Sequence, residues 1–309
     1  MIGVLTGFAI IMVVIAVGYV LGRTGIISPG DSRLMLNRVA FYAATPALLF
    51  TVVSTSQPQA LFSPVIVVSL LATLFIGAVF FLISRLLPHY DEQGRADTAM
   101  GAASASYVNS NNIGLPVSMY VLGTATYIAP ILVIQMVLLT PLLLAVLGSE
   151  DKNHSPATTI RTALLSPIVL ASVVGLVVCL NGWSVPEPVM APLEILGGAS
   201  IPMILMSFGA SLNTTTVLDS PKDRPRVLLA TTLKTVGMPL VAWLLSLAFD
   251  MESQERYAAV ILAALPTAQN VYNYAATFQK GTIVARDTVL LTTFASLPIM
   301  LFIAALSGR

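Results

Sequence analysis

Ten stretches of about twenty apolar residues, separated by short polar links, constrain this chain more than anything else in it. They run near 2–22, 32–53, 62–87, 96–122, 126–148, 160–181, 188–212, 225–249, 254–278 and 283–307. A helix of that length crosses a ~30 Å hydrocarbon core. Composition agrees: 56% of the 309 residues are hydrophobic and 9% are charged, against roughly 25% charged in soluble domains. The expectation is an all-α integral membrane protein with ten transmembrane helices. Residues 2–22 read as the first of these and not as a secretory signal. The stretch has no leading positive charge, and Arg23 follows it where a cleavage site would stand.

The function classes that remain are few. Fifteen Lys and Arg against fourteen Asp and Glu leave a net charge of +1, without the basic stripe that nucleic-acid binding needs. There is no Gly-Lys-Ser/Thr phosphate loop. The only histidines, His89 and His154, fall in polar links, so no helix supplies a base for Ser104 or Ser106, and no His, Cys or carboxylate cluster suggests a metal. Cys179, the single cysteine, is expected to be packed or lipid-facing. Neither enzyme, cofactor nor metal is expected.

Orientation follows from the bias of Lys and Arg toward cytoplasmic links. With the N-terminus outside, Arg23, Arg33, Arg38, Arg85, Arg95, Lys152, Arg161, Lys222, Arg224, Arg226, Lys280 and Arg286 lie inside, and only Arg256 and Arg309 lie outside. Both termini are therefore expected on the extracytoplasmic side of the cell membrane. Ten helices divide into two fives: residues 1–148, a cytoplasmic linker 149–159, and residues 160–309. Shifted by 161 positions, Arg95, Ala102, Ala103, Asn109 and Asn112 coincide with Arg256, Ala263, Ala264, Asn270 and Asn273. Shifts of 156 or 157 pair Pro29 with Pro186, Pro46 with Pro202 and Pro141 with Pro298. An odd number of helices per half inverts the second half, the plan of many secondary transporters.

Within this plan the fourth and ninth segments are unusual. "NSNNIGLP" places Asn109, Ser110, Asn111 and Asn112 ahead of Gly114 and Pro116, and "LPTAQNVYNYA" places Pro266, Gln269, Asn270 and Asn273 in the ninth. Proline removes a backbone donor and obstructs the preceding turn. Broken helices at membrane depth survive only where protein or a water-filled cavity satisfies the freed backbone. These residues are the candidate substrate site, with interhelical polar glue as the plainer reading. Two ionisable residues lie inside helices, where such groups are functional candidates by default. Glu194 is a candidate for ion coupling or an outer-interface residue, and Lys234 is a candidate for recognising an anionic substrate or a snorkelling side chain.

The pattern Asn109–Gly114–Pro116, with "LPTAQNVYNYA" in helix 9, "TVLLTTFASLPIMLFI" in helix 10, "ASIPMILMSFGASL" in helix 7 and "TPALLF" in helix 2, resembles the auxin efflux carrier family of plant carriers and bacterial permeases. The resemblance covers essentially the whole chain. It departs from many bacterial members at Asn111 and Asn112, where those carry glycine and an aromatic residue. It implies two inverted five-helix repeats whose helices 4 and 9 cross at their breaks beside the substrate, and a secondary carrier of small organic anions such as malate or malonate, working by alternating access. A sodium-coupled organic-anion symporter of the bile-acid type and a membrane sensor that binds without transport are the alternatives. The expected partners are the anion, the lipid bilayer and, as a compatible assembly, a second copy of the chain.

Overall fold

The computed structural model describes residues 2–28, 31–56, 58, 63–87, 94–114, 117–123, 127–148, 165–214 and 217–307. Pro116, His89, His154 and the 149–159 linker lie outside the described residues, as do the side chains of Asn111 and Asn112. The first half contains α1 (Ile2–Arg23), α2 (Asp31–Val39), α3 (Thr45–Ser54), α4 (Pro64–Ser84), α5 (Arg95–Ser106), α6 (Ile128–Ile134) and α7 (Thr140–Gly148). The second contains α8 (Pro167–Asn181), α9 (Glu187–Ser211), α10 (Arg224–Thr232), α11 (Met238–Ala248), α12 (Ser253–Ala263), α13 (Gln269–Phe278) and α14 (Thr282–Leu306). No strand occurs among the described residues. Each expected apolar stretch coincides with helical structure, continuous or broken. Among the described residues, five helical runs, Ser32–Ser54, Pro64–Ser84, Glu187–Ser211, Arg224–Ala248 and Thr282–Leu306, are long and apolar enough to cross a bilayer.

Three π-helical turns make pairs of helices continuous. Ala40–Ala44 joins α2 to α3, Gln135–Leu139 joins α6 to α7, and Leu233–Gly237 joins α10 to α11. Each widens the helix by one residue without ending it, a distortion that recurs at functional sites.

Polarity is distributed as lipid demands. Val17, Leu74, Phe75, Leu82 and Phe302 are exposed, while Ser104, Ser172, Thr73 and Thr292 are buried. The buried hydroxyls return to carbonyls of their own helix: Thr73 donates to Ser69 O at 2.8 Å and Ser104 to Met100 O at 2.7 Å. Such back-bonding lets a polar side chain sit in an apolar interior without an orphaned group.

The helices gather into two bundles. In the first, α9 packs along α1 and α3, and α3 also packs along α8. These contacts are close because glycines line them. A Cβ at Gly197 of α9 would lie 2.8 Å from Leu48 Cα, and one at Gly209 would run into the backbone of Ile15. A Cβ at Gly18 of α1 would strike Met206 in return. Small residues at crossings of this kind let backbones approach within dispersion range where no water-driven hydrophobic effect operates. Thr45 and Ser200 hydroxyls, 2.7 Å apart, add a buried hydrogen bond between α3 and α9. Cys179 is packed as expected, its thiol donating to Ser56 O at 3.0 Å. In the second bundle α4 packs on α5, α11 and α12, and α10 packs on α5 and α14.

Gly209→Ala should lower thermal stability in detergent by about 1–3 kcal/mol, the usual cost of overpacking. Gly198→Ala, where nothing lies within 4 Å of an added Cβ, should leave the unfolding midpoint unchanged.

Candidate functional site

Helices α5 and α12 both stop half way. Twelve residues of α5 and eleven of α12 rise about 16–18 Å at 1.5 Å each, which brings both ends near the middle of a ~30 Å core. In the ninth segment the cause is local. Pro266 has no N–H to give the helix, its ring opposes the carbonyl four residues back, and it pushes Leu265 away from helical geometry. The chain then runs extended through Thr267 to Ala268 and resumes helix at Gln269. In the fourth segment it runs extended from Tyr107 to Asn109 before the π-helical turn Ser110–Gly114.

The two extended pieces lie side by side and antiparallel, with Val108 opposite Thr267. Asn109 N donates to Pro266 O at 2.9 Å, and Ala268 N donates to Tyr107 O at 3.2 Å. Groups freed by one break are thus taken up by the other. What remains is met by side chains. The Gln135 amide straddles Val108, accepting from its N–H at 3.0 Å and donating to its carbonyl at 2.9 Å. Thr267 N donates to Thr292 Oγ1 at 3.0 Å, and Thr267 Oγ1 donates to Ser104 O at 2.6 Å. Tyr107 OH reaches Leu139 O at 2.6 Å.

A small cavity of about 20 Å³ lies where this crossing meets the first bundle. Asn109, Ser110, Gln135, Gln269 and Asn270 line one side, and Thr45 and Leu49 of α3 the other. That volume holds about one water. Hence Asn109, Ser110, Gln269 and Asn270, four of the candidate residues, line one cavity. Pro266 and Gly114 build it without lining it. Gly114 N donates to Asn109 O at 2.8 Å, and an added Cβ would fall 2.7 Å from Ile128 Cδ1. Asn273, a turn further along α13, is buried but does not line the cavity.

The 161-residue shift pairs Asn109 with Asn270, yet the bridged residues are Val108 and Thr267. Asn109 therefore belongs to an extended segment and Asn270 to the first turn of α13. Proline explains the difference, because Pro266 fixes where α12 must end whereas α5 continues to Ser106.

Sequence reading passed over Gln135, Thr45, Thr267 and Thr292. Each is a polar residue set in an apolar stretch, and Gln135 is the only amide in the stretch 126–148. An intramembrane amide without a water-filled neighbour must find a backbone partner, and that was the available signal.

The two ionisable candidates lie elsewhere. Lys234, in the π-helical turn Leu233–Gly237, is fully buried, and its Nζ donates to Ala263 O at 3.0 Å and to Met238 Sδ at 2.9 Å. It therefore does not snorkel. Ala263 ends α12, where carbonyls lack helical partners and the helix dipole favours a cation. Glu194 is exposed on α9 and lines no part of the crossing.

Replacing Gln135 with Leu, or Thr292 with Val, strips an acceptor from a buried backbone N–H. Each should cost about 1–3 kcal/mol of stability, read by unfolding in mild detergent. Thr277→Val, which removes an exposed hydroxyl bonded to Asn273 O, should shift stability by less than about 0.5 kcal/mol.

Comparison with known proteins places this arrangement in context. The profile of a family described as "Membrane transport protein" matches residues 4–304. A protein of Rhizobium meliloti named "Putative malonate transporter" is 25% identical over 91% of this chain and 89% of its own length. An "Uncharacterized transporter" of Methanothermobacter thermautotrophicus is 24% identical over 84% of this chain and 83% of its own. The "Uncharacterized transporter YfdV" of Escherichia coli is 23% identical over the same shares.

Proposed function

The chain belongs to the membrane transport protein family, the auxin efflux carrier family, and from that premise we propose that it is a secondary carrier of small organic anions, with malonate-like dicarboxylates as the substrate class. The observation that carries this reading is the crossing itself. Helix α13 and the turn Ser110–Gly114 both begin beside the cavity lined by Asn109, Gln269 and Asn270. Helix N-termini carry partial positive charge and free N–H groups, which suit a carboxylate. Neutral amides can orient such a ligand without binding it too tightly to release.

The proposed mechanism is alternating access between the two bundles. A cavity of about 20 Å³ represents a closed state, and substrate enters when α3 and its bundle part from the crossing. Support for two inverted five-helix repeats comes from corresponding contacts. Val108 is held by Gln135, 27 residues later, and Thr267 by Thr292, 25 residues later. The first bundle likewise joins α1–α3 to α8–α9, the opening helices of each half. Ten crossings, with both termini extracytoplasmic, complete the proposal. Lys234 in this reading acts on the anion from behind the crossing, through the end of α12, and Glu194 takes no part in coupling.

Proteoliposomes holding the purified chain should accumulate labelled malonate saturably, and Asn109→Ala or Asn270→Ala should cut the initial rate by about tenfold or more, ~1.4 kcal/mol, without loss of helix content. Binding without accumulation would make the protein a sensor. Uptake that requires a sodium gradient would make it a sodium symporter. Lys234→Gln should weaken malonate and acetate to the same degree, whereas a selective loss for malonate would make Lys234 a direct ligand of the second carboxylate. For orientation, Ser155→Cys in a Cys179→Ser background should resist impermeant thiol reagents in intact cells, and Ser307→Cys should react.

A further inference from the structure

A second, larger cavity lies away from the crossing. It holds about 430 Å³ between α11, α12 and α14, within the 300–1,000 Å³ range of small-molecule sites. Its walls have two chemistries. Arg256, Ser253 and Ser307 stand at one end, beside the start of α12 and the end of α14. Val260, one helical turn or about 6 Å deeper, continues with Leu240, Trp243 and Phe302 into an apolar wall. Leu240, Trp243 and Phe302 are 51%, 45% and 63% exposed, so that wall is continuous with the surface that meets lipid hydrocarbon.

Among the described residues, Arg256 is the one charged side chain lining the cavity. It is also, with Arg309, an exception to the inward bias of Lys and Arg, so its retention on the outer side needs a local reason. Part of that reason is structural, since its Nη2 donates to Met251 O at 2.9 Å and closes the turn from α11 to α12. Its Nε is buried and meets no acceptor. Glu252 and Glu255 of the same turn do not line the cavity and lie within electrostatic reach of Tyr127 instead.

We propose that this cavity is a binding site for an anionic phospholipid of the outer leaflet. Its phosphodiester accepts from the Arg256 guanidinium and from the Ser253 hydroxyl, and one acyl chain lies along Val260, Trp243 and Phe302. A polar end at helix termini and an apolar wall open to hydrocarbon match a molecule that is itself ordered head-outward at that depth. A free anion would leave the apolar wall uncovered, and an uncharged lipid would offer the Arg256 guanidinium no opposite charge within the cavity. The site holds whether or not malonate is the substrate.

Trp183 and Trp243 are the only tryptophans. In Trp183→Phe protein reconstituted in phosphatidylcholine, the remaining tryptophan lines the cavity and reports its occupant by quenching from brominated acyl chains. Brominated phosphatidylglycerol should reach half-quenching at a mole fraction about fivefold lower than brominated phosphatidylcholine, the ratio a single cation–headgroup contact gives. Arg256→Gln should bring that ratio to about one. Should that variant fail to fold, Val260→Phe narrows the cavity while keeping Arg256 and should remove the saturable component. Soluble glycerol phosphate should not compete. Equal quenching by the two lipids in otherwise unaltered protein would overturn the proposal, and so would competition by glycerol phosphate, which would make the site one for free anions.

Discussion

Two helices end within the apolar interior of the chain, and the crossing between them follows from how the freed backbone groups are satisfied. An unpaired amide in hydrocarbon costs several kcal/mol, so neither break could persist alone. Here each break uses the other: Asn109 N–H meets Pro266 O, and Ala268 N–H meets Tyr107 O. Gln135 and Thr292 supply the rest from neighbouring helices. These pairings hold the two breaks together and place the residues Asn109 and Gln269 at one cavity.

Charge is arranged on the same principle. Lys234 is buried against the closing carbonyl of α12, where a half-helix leaves negative partial charge at membrane depth. The opposite end, at the start of α13, lies beside the cavity. The buried amine and the cavity are thus served by different ends of the broken segments.

Much of this was legible in the sequence, for reasons that can be named. Apolar length marked the helices, because crossing a bilayer is a matter of distance and solvation. Pro266 marked a break because it lacks a donor, and the amides around Asn109 and Asn270 marked a place that lipid could not solvate. Less could be read where a residue acts across space. Nothing beside Gln135 in the chain says that it straddles Val108, and nothing around Lys234 says which way its amine turns. The π-helical turns left no local trace either, since they depend on what the widened helix packs against. The pairing of Val108 with Thr267, offset from the 161-residue match, was decided by where proline stops α12, which a search for identical residues overlooks.

The bridge between Val108 and Thr267 also sets an order of events during synthesis. Gln135 emerges 27 residues after Val108 and can hold it while the first half is still being made. Ser104 O must await Thr267, 163 residues later, and the Tyr107 carbonyl and Asn109 N–H must await the same stretch of chain. Until then the first half carries an unfinished strand edge in the bilayer. The chain made ahead of Pro266 is therefore an intermediate that the translocation machinery or a neighbouring helix must shelter, and a chain truncated there should be cleared by membrane quality control rather than persist as a stable fragment.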